Sequence, residues 1–127
     1  MNIPQDLLYT NDHEWVRVDG EQAYVGITDF AQDNMGDIVY VEMPEIDDEI
    51  AAGDQIAVIE SVKAVSSIFC PVGGTIIEIN DALESAPELL NEDPYENYVA
   101  IVKMDNQDDL DQLLSPAAYE KLCAETN

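Results

Sequence analysis

The chain has 127 residues and sets 28 Asp plus Glu against 4 Lys plus Arg, a formal charge of −24 at pH 7. So few cations cannot neutralise a run of phosphates, and such an acidic surface is repelled by anionic bilayers, which excludes nucleic acid and membranes as partners. Hydrophobic residues make up 46%, so the acid excess does not read as disorder, and the length suits one folded domain, taken as 1–127.

The first residues, Met1-Asn2-Ile3-Pro4-Gln5-Asp6, lack the basic and apolar regions of a signal peptide and the arginines of a transit peptide. This predicts a cytoplasmic protein, or a mitochondrial-matrix one whose transit peptide has been removed. Residues 13–18 read as a strand, Asp19-Gly20 as a hairpin turn, and 22–27 as the returning antiparallel strand. Thr28 then caps a helix over 29–35 that ends at Gly36. Residues 37–43 alternate, with Ile38, Tyr40 and Glu42 on one face and Val39, Val41 and Met43 on the other, before Pro44 closes the strand. An acidic stretch turns at Gly53-Asp54 into Ile56-Ala57-Val58-Ile59, a continuous apolar run expected to be buried on both faces. Strands are expected over 75–79 and 98–103, joined by an acidic loop with short helical turns near Leu83 and Leu89. Residues 108–114 read as helix, with Leu110, Leu113 and Leu114 on one face. Ser115-Pro116 opens a last helix that turns Tyr119, Leu122 and Cys123 inward, giving a helical extension of about 106–125. A faint repeat is visible. Gly36-Asp37-Ile38 leads through an acidic loop to the strand at Ile56, and Gly74-Thr75-Ile76 leads through another to the strand at Val99. Two such halves would make a flattened barrel or sandwich.

Catalytic machinery is sparse. His13 is the one histidine, and there is no phosphate loop, nucleophile elbow or dinucleotide fingerprint. Cys70 and Cys123 are too few for a zinc site or a disulfide framework and read as small core residues. The acid clusters at Asp47-Asp48-Glu49 and over 105–111 lack calcium-loop spacing and read as solvated surface, so no metal site is expected. Lys63 stands apart as a lysine within an apolar, small-residue stretch, Ile59-Glu60-Ser61-Val62-Lys63-Ala64-Val65-Ser66. Three readings are open for it: a strand lysine snorkelling to water, a Schiff-base lysine, or a covalently acylated lysine on a protruding turn. The acidic surroundings favour the protonated amine and so disfavour the Schiff base.

Several blocks, in order, resemble the glycine cleavage H-protein family. They are His13-Glu14-Trp15-Val16, Gly26-Ile27-Thr28-Asp29-Phe30-Ala31-Gln32, Gly36-Asp37-Ile38-Val39, Met43-Pro44-Glu45, Glu60-Ser61-Val62-Lys63-Ala64, Asn80-Asp81-Ala82-Leu83, Pro87-Glu88-Leu89-Leu90-Asn91 and Pro94-Tyr95. The resemblance implies a mainly β fold, a lipoyl/biotinyl-type barrel-sandwich hybrid with an N-terminal hairpin, a short helix and a C-terminal helix. It places Val62-Lys63 at a hairpin tip and makes Lys63 the site of covalent lipoylation.

The implied activity is that of a carrier, not an enzyme. Its lipoate would take the aminomethyl group of glycine from the pyridoxal-phosphate glycine decarboxylase to an aminomethyltransferase, and be reoxidised by dihydrolipoamide dehydrogenase. Glu60, Ser61, Val62 and Ala64 would be read by lipoylating enzymes. Glu14, and Ser67 where many members have Asp, would border a cleft that shelters the loaded arm. For Glu14 the plain alternative is a solvated strand acid, and for His13 a structural role is expected. A monomer is expected. The competing readings are an H-like lipoyl donor or relay, and a lipoyl domain of a 2-oxoacid dehydrogenase complex. The second commonly has Asp before the lysine, where this chain has Val62.

Overall fold

The computed structural model describes residues 2–126; Met1 and Asn127, the ends of the expected 1–127 unit, lie outside the described residues. Two antiparallel sheets carry the fold. Strands β1 (Leu8–Tyr9), β2 (Glu14–Asp19) and β3 (Gln22–Ile27) are followed by helix α1 (Asp29–Met35) and then by β4 (Ile38–Glu42), β5 (Glu49–Ile50), β6 (Gln55–Ser61), β7 (Val65–Phe69) and β8 (Gly74–Ile79). Short helices α2 (Ala82–Ser85) and α3 (Leu89–Glu92) precede β9 (Ala100–Met104); a 3-10 helix (Gln107–Gln112) and α4 (Pro116–Thr126) follow it. The six-stranded sheet runs β1-β2-β3-β9-β8-β5 and the three-stranded sheet β4-β6-β7. Val25, Ile76 and Val102 of the first share one buried core with Ile38, Val41, Ile59 and Ile68 of the second. The sheets therefore close on each other as a barrel sandwich, the architecture expected. Both halves of the faint repeat form antiparallel pairs, β4 with β6 and β8 with β9.

Local chemistry explains the elements. The Asp19-Gly20 turn holds β2 and β3 in a continuous register from Glu14↔Ile27 to Asp19↔Gln22, with Gly20 in the left-handed region the turn requires. Thr28 accepts the Ala31 N–H at the start of α1, and Gly36, at φ 73°, ends that helix by donating its N–H to the Gln32 carbonyl.

Three expectations are corrected. In β4 the buried residues are Ile38 and Val41, not a strict alternation, because the β4–β6 register shifts between Ile38 and Tyr40 and leaves Val39 and Tyr40 both exposed. In β6, Ile56 and Ala57 are both buried through a shift between Gln55 and Ala57, while Val58 is half-exposed on the outer face; the strand is not buried on both faces. The expected helix over 108–114 is a 3-10 helix ending at Gln112, after which Leu114 bridges Tyr9 in extended conformation. Asp105, Asp108, Asp109 and Asp111 are spaced to repel one another in an α-helix, and Asp109 instead accepts the Gly73 N–H at 2.9 Å. The last helix forms as expected, with Tyr119 and Cys123 fully buried and Leu122 packed beside them.

Candidate functional site

Lys63 sits at the tip of the β6–β7 hairpin. Glu60↔Val65 is the last strand pair, and Ser61 N–H donates to the Ala64 carbonyl at 2.8 Å, leaving Val62 and Lys63 to make the bend. No Asn-Gly or Asp-Gly is needed because the Ser61 hydroxyl does the work. Its Oγ accepts the N–H groups of Ala64 (3.0 Å) and Lys63 (3.3 Å) from inside the turn. Val62, Lys63 and Ala64 are all exposed, while Glu60 and Ser61 are half-exposed.

The tip is braced from outside the hairpin. Val62 N–H donates to the Asp37 carbonyl at 3.0 Å, and the Lys63 stem crosses Gly36 so closely that an added Cβ there would lie 3.5 Å from Lys63 Cε. The Gly36–Ile38 turn is held in its turn by Asn91, whose Oδ1 accepts the Ile38 N–H (2.9 Å). Its Nδ2 donates to the carbonyl of Gly36 (2.9 Å) and to Gln32 Oε1 (3.0 Å). One amide side chain thus ties α3, the end of α1 and the start of β4 to the ledge under the tip. None of Gln32, Gly36, Asp37 and Asn91 carries a sequence signal for this bracing, since Asn91 lies 53 to 59 residues along the chain from the groups it holds.

Strand β7 leads from the tip to a cleft of about 320 Å³, lined by Thr10, Asp12, Glu14, Phe69, Asp109 and Gln112 among others. Glu14 is 1% exposed, which overturns the solvated strand-acid alternative. Its Oε1 accepts the Thr10 hydroxyl at 2.7 Å and its Oε2 the Phe69 N–H at 3.1 Å. Burial pushes the carboxyl up to about 7, and the two hydrogen bonds only partly oppose that rise. Ser67 lies on β7 two residues before Phe69 and on the same sheet face, half-exposed, but it is not among the residues lining this cleft. Thr10, Asp12, Asp109 and Gln112, which do line it, are absent from the sequence-based site. Asp109 and Gln112 are indistinguishable there from solvated surface.

The glycine cleavage H-protein family model matches residues 7–126. The chain belongs to the glycine cleavage H-protein family. It is 63% identical over 123 residues to a glycine cleavage system H protein of Syntrophomonas wolfei, covering 97% of this chain and 95% of that one. It is 54% identical over 125 residues to the H protein of a Clostridium botulinum strain, covering 98% and 96%. The crystal structure of a glycine cleavage system H protein from Mycobacterium marinum superposes with a TM-score of 0.85 at 31% identity, over 98% of both chains.

H proteins are lipoyl carriers of the glycine cleavage system rather than catalysts, and this membership sets aside the 2-oxoacid dehydrogenase reading. Within the H-protein frame the remaining candidates are structural. His13, at φ 67°, stacks on Phe30 with ring centroids 4.4 Å apart and shares a hydrogen bond between Nδ1 and the Tyr119 hydroxyl (2.8 Å). Burial holds its imidazole below the usual histidine range, so it stays neutral at pH 7. Cys70 and Cys123 are free and buried, and burial pushes the Cys70 thiol up to about 12, which makes it a poor nucleophile. No helix among the described residues is long and apolar enough to cross a membrane.

Proposed function

We propose that Lys63 carries the lipoyl group, amide-linked at Nζ, and that the whole chain works as one monomeric cytoplasmic carrier of the aminomethyl group of glycine. The observation that carries this reading is a lysine presented alone at a braced, exposed hairpin tip in a chain of the H-protein family. The residues fit the group: Lys63 is exposed, and the one buried charged side chain among the described residues, Glu14, is held by Thr10 and Phe69, so neutralising the lysine strands no charge there. Bound there, the dithiolane supplies the redox chemistry that accepts and releases the one-carbon unit. The protein supplies position.

Glu60, Ser61, Val62 and Ala64 present the lysine to the lipoylating enzymes as a turn of fixed shape. Ser61 acts from within, by holding the bend, so its part in recognition is geometric. Glu14, with Ser67 beside the path along β7, receives the loaded end. A carboxyl near pH 7 is only partly ionised by itself, and an ammonium group entering the cleft favours its charged form. The partners are then the lipoylating enzymes, glycine decarboxylase, the aminomethyltransferase and dihydrolipoamide dehydrogenase, each handling the same tethered arm.

The test is bicarbonate exchange. The lipoylated chain, mixed with glycine decarboxylase, glycine and radiolabelled bicarbonate, is expected to support incorporation of label into glycine, while the unlipoylated chain does not. No exchange with the lipoylated chain would overturn the glycine-specific role.

A further inference from the structure

His13 holds a left-handed backbone, at φ 67°. An L side chain is strained there, and such a conformation persists only where its surroundings enforce it. Two helices supply the enforcement. The imidazole stacks on Phe30 of α1, and its Nδ1 lies 2.8 Å from the Tyr119 hydroxyl of α4. Tyr119 is itself fixed: it is fully buried, its ring stacks on Tyr9 with centroids 4.5 Å apart, and its hydroxyl also lies 2.6 Å from Thr28 Oγ1.

The strained residue belongs to the turn that delivers Glu14. Thr10 N–H donates to the Glu14 carbonyl at 3.0 Å. The Thr10 hydroxyl oxygen accepts the N–H groups of Asp12 (3.1 Å) and Glu14 (3.2 Å) and donates its proton to Glu14 Oε1 (2.7 Å). Thr10, Asp12 and Glu14 line the cleft, whereas His13 sends its ring away to α1 and α4. More of the lining, Asp109, Gln112 and Leu114, comes from the segment that runs into α4. The C-terminal helix is thus joined to one part of the cleft by the chain and to another by a single phenol.

We propose that Tyr119 is a positioning residue for the arm cleft: its hydroxyl, acting through His13, holds the Thr10–Glu14 turn in the form that presents the Glu14 carboxyl to the cleft. The C-terminal helix then sets how well the carrier shelters its load. The proposal rests on the reading of Glu14 as the carboxyl that receives the loaded end.

The test compares Tyr119→Phe with Tyr9→Phe in the full-length chain. Each removes one phenol hydroxyl and keeps the stacked rings, but the Tyr9 hydroxyl donates to the Pro4 carbonyl instead of meeting His13. The first readout needs no lipoyl group: the Glu14 side-chain carboxyl is titrated by carbon NMR, well below the thermal midpoints of both variants. Burial is the largest influence on Glu14, ahead of the acid at Asp12, so a loosened turn that admits water lowers the titration midpoint. Tyr119→Phe is expected to bring it down from about 7 by about one pH unit, and Tyr9→Phe to leave it in place. His13→Gly, at ease at φ 67°, cuts the same tie from its other end and should lower the midpoint likewise; it decides the question should Tyr119→Phe fail to fold. The second readout uses the lipoylated chain, loaded by glycine decarboxylase and then separated from it. Water converts the S–CH2–NH3+ group to thiol, formaldehyde and ammonium, and the formaldehyde is followed with Glu14→Gln as the reference. Tyr119→Phe and Glu14→Gln are both expected to lose the load severalfold faster than the parent. A Glu14→Gln carrier that keeps its load as long as the parent refutes the Glu14 reading. The role of Tyr119 alone is overturned by a Glu14 midpoint that stays put in Tyr119→Phe and His13→Gly, or that moves equally in Tyr9→Phe. It is overturned too if Tyr119→Phe keeps its load where Glu14→Gln loses it.

Discussion

Glu14 is the residue whose chemistry the fold alters most. Its folded pKa, about 7 against an ordinary 4.5, means that the folded state holds a proton over a range where the unfolded chain has released it. The folded state binds more protons across that window, so the Glu14 contribution to stability falls as pH rises from about 4.5 to about 7 and levels off above, by roughly 3 kcal/mol at most. His13, held below its usual range, acts in the opposite direction: its contribution is lost as pH falls below about 6.5. The clean measurement is therefore a difference. Urea unfolding of Glu14→Gln and of the parent at pH 5 and pH 8 should show the variant gaining stability relative to the parent at the higher pH; a pH-independent gap would mean that Glu14 is ionised throughout. A second residue-scale prediction concerns Gly26, which pairs across the hairpin with Trp15. A Cβ there would lie 2.7 Å from the buried indole, whose N–H donates to the Pro94 carbonyl. Gly26→Ala should cost about 1–3 kcal/mol and red-shift the emission of this single tryptophan as the ring is displaced.

At the scale of elements, the hairpin that presents Lys63 depends on a brace it does not contain. Asn91→Ala removes three hydrogen bonds and strands the Ile38 N–H, at a cost of about 1–3 kcal/mol. Amide exchange should accelerate at Ile38 and Val62 while Val25 and Val102, in the other sheet, keep their protection; uniform acceleration would mean global destabilisation instead. The same elements show what a sequence can disclose. The β2–β3 hairpin, α1 with its Thr28 cap and Gly36 terminus, and the inward face of α4 are all legible, because each is set by local turn chemistry, capping or periodicity. The β4 face assignment fails because Val39 is an extra residue in the pairing with β6, and the 3-10 helix escapes notice because Asp109 is engaged by Gly73, 36 residues away. Lys63 stands out by composition, yet its place at a tip comes from family resemblance. The Ser61 turn that makes the bend gives no standard hairpin signal. The cleft is the least legible part, since Thr10, Glu14, Phe69 and Asp109 meet only through the fold.

At the scale of the molecule, the charge of −24 becomes a property of a glycine cleavage carrier. Its four cations include Lys63, which acylation would neutralise, and the surface would then be more acidic still. Such a field steers the chain toward basic docking sites, and turnover of the reconstituted glycine cleavage system should fall as salt is raised through the range that screens exposed charges. Salt-independent turnover would count against electrostatic docking. The central claim, that Lys63 is the attachment point, has the most direct test. The chain and its Lys63→Arg variant are incubated with lipoate, ATP and a lipoate ligase, and their intact masses are measured. The parent is expected to gain the mass of one lipoyl group and Lys63→Arg none; an unmodified parent, or a modified variant, would contradict it.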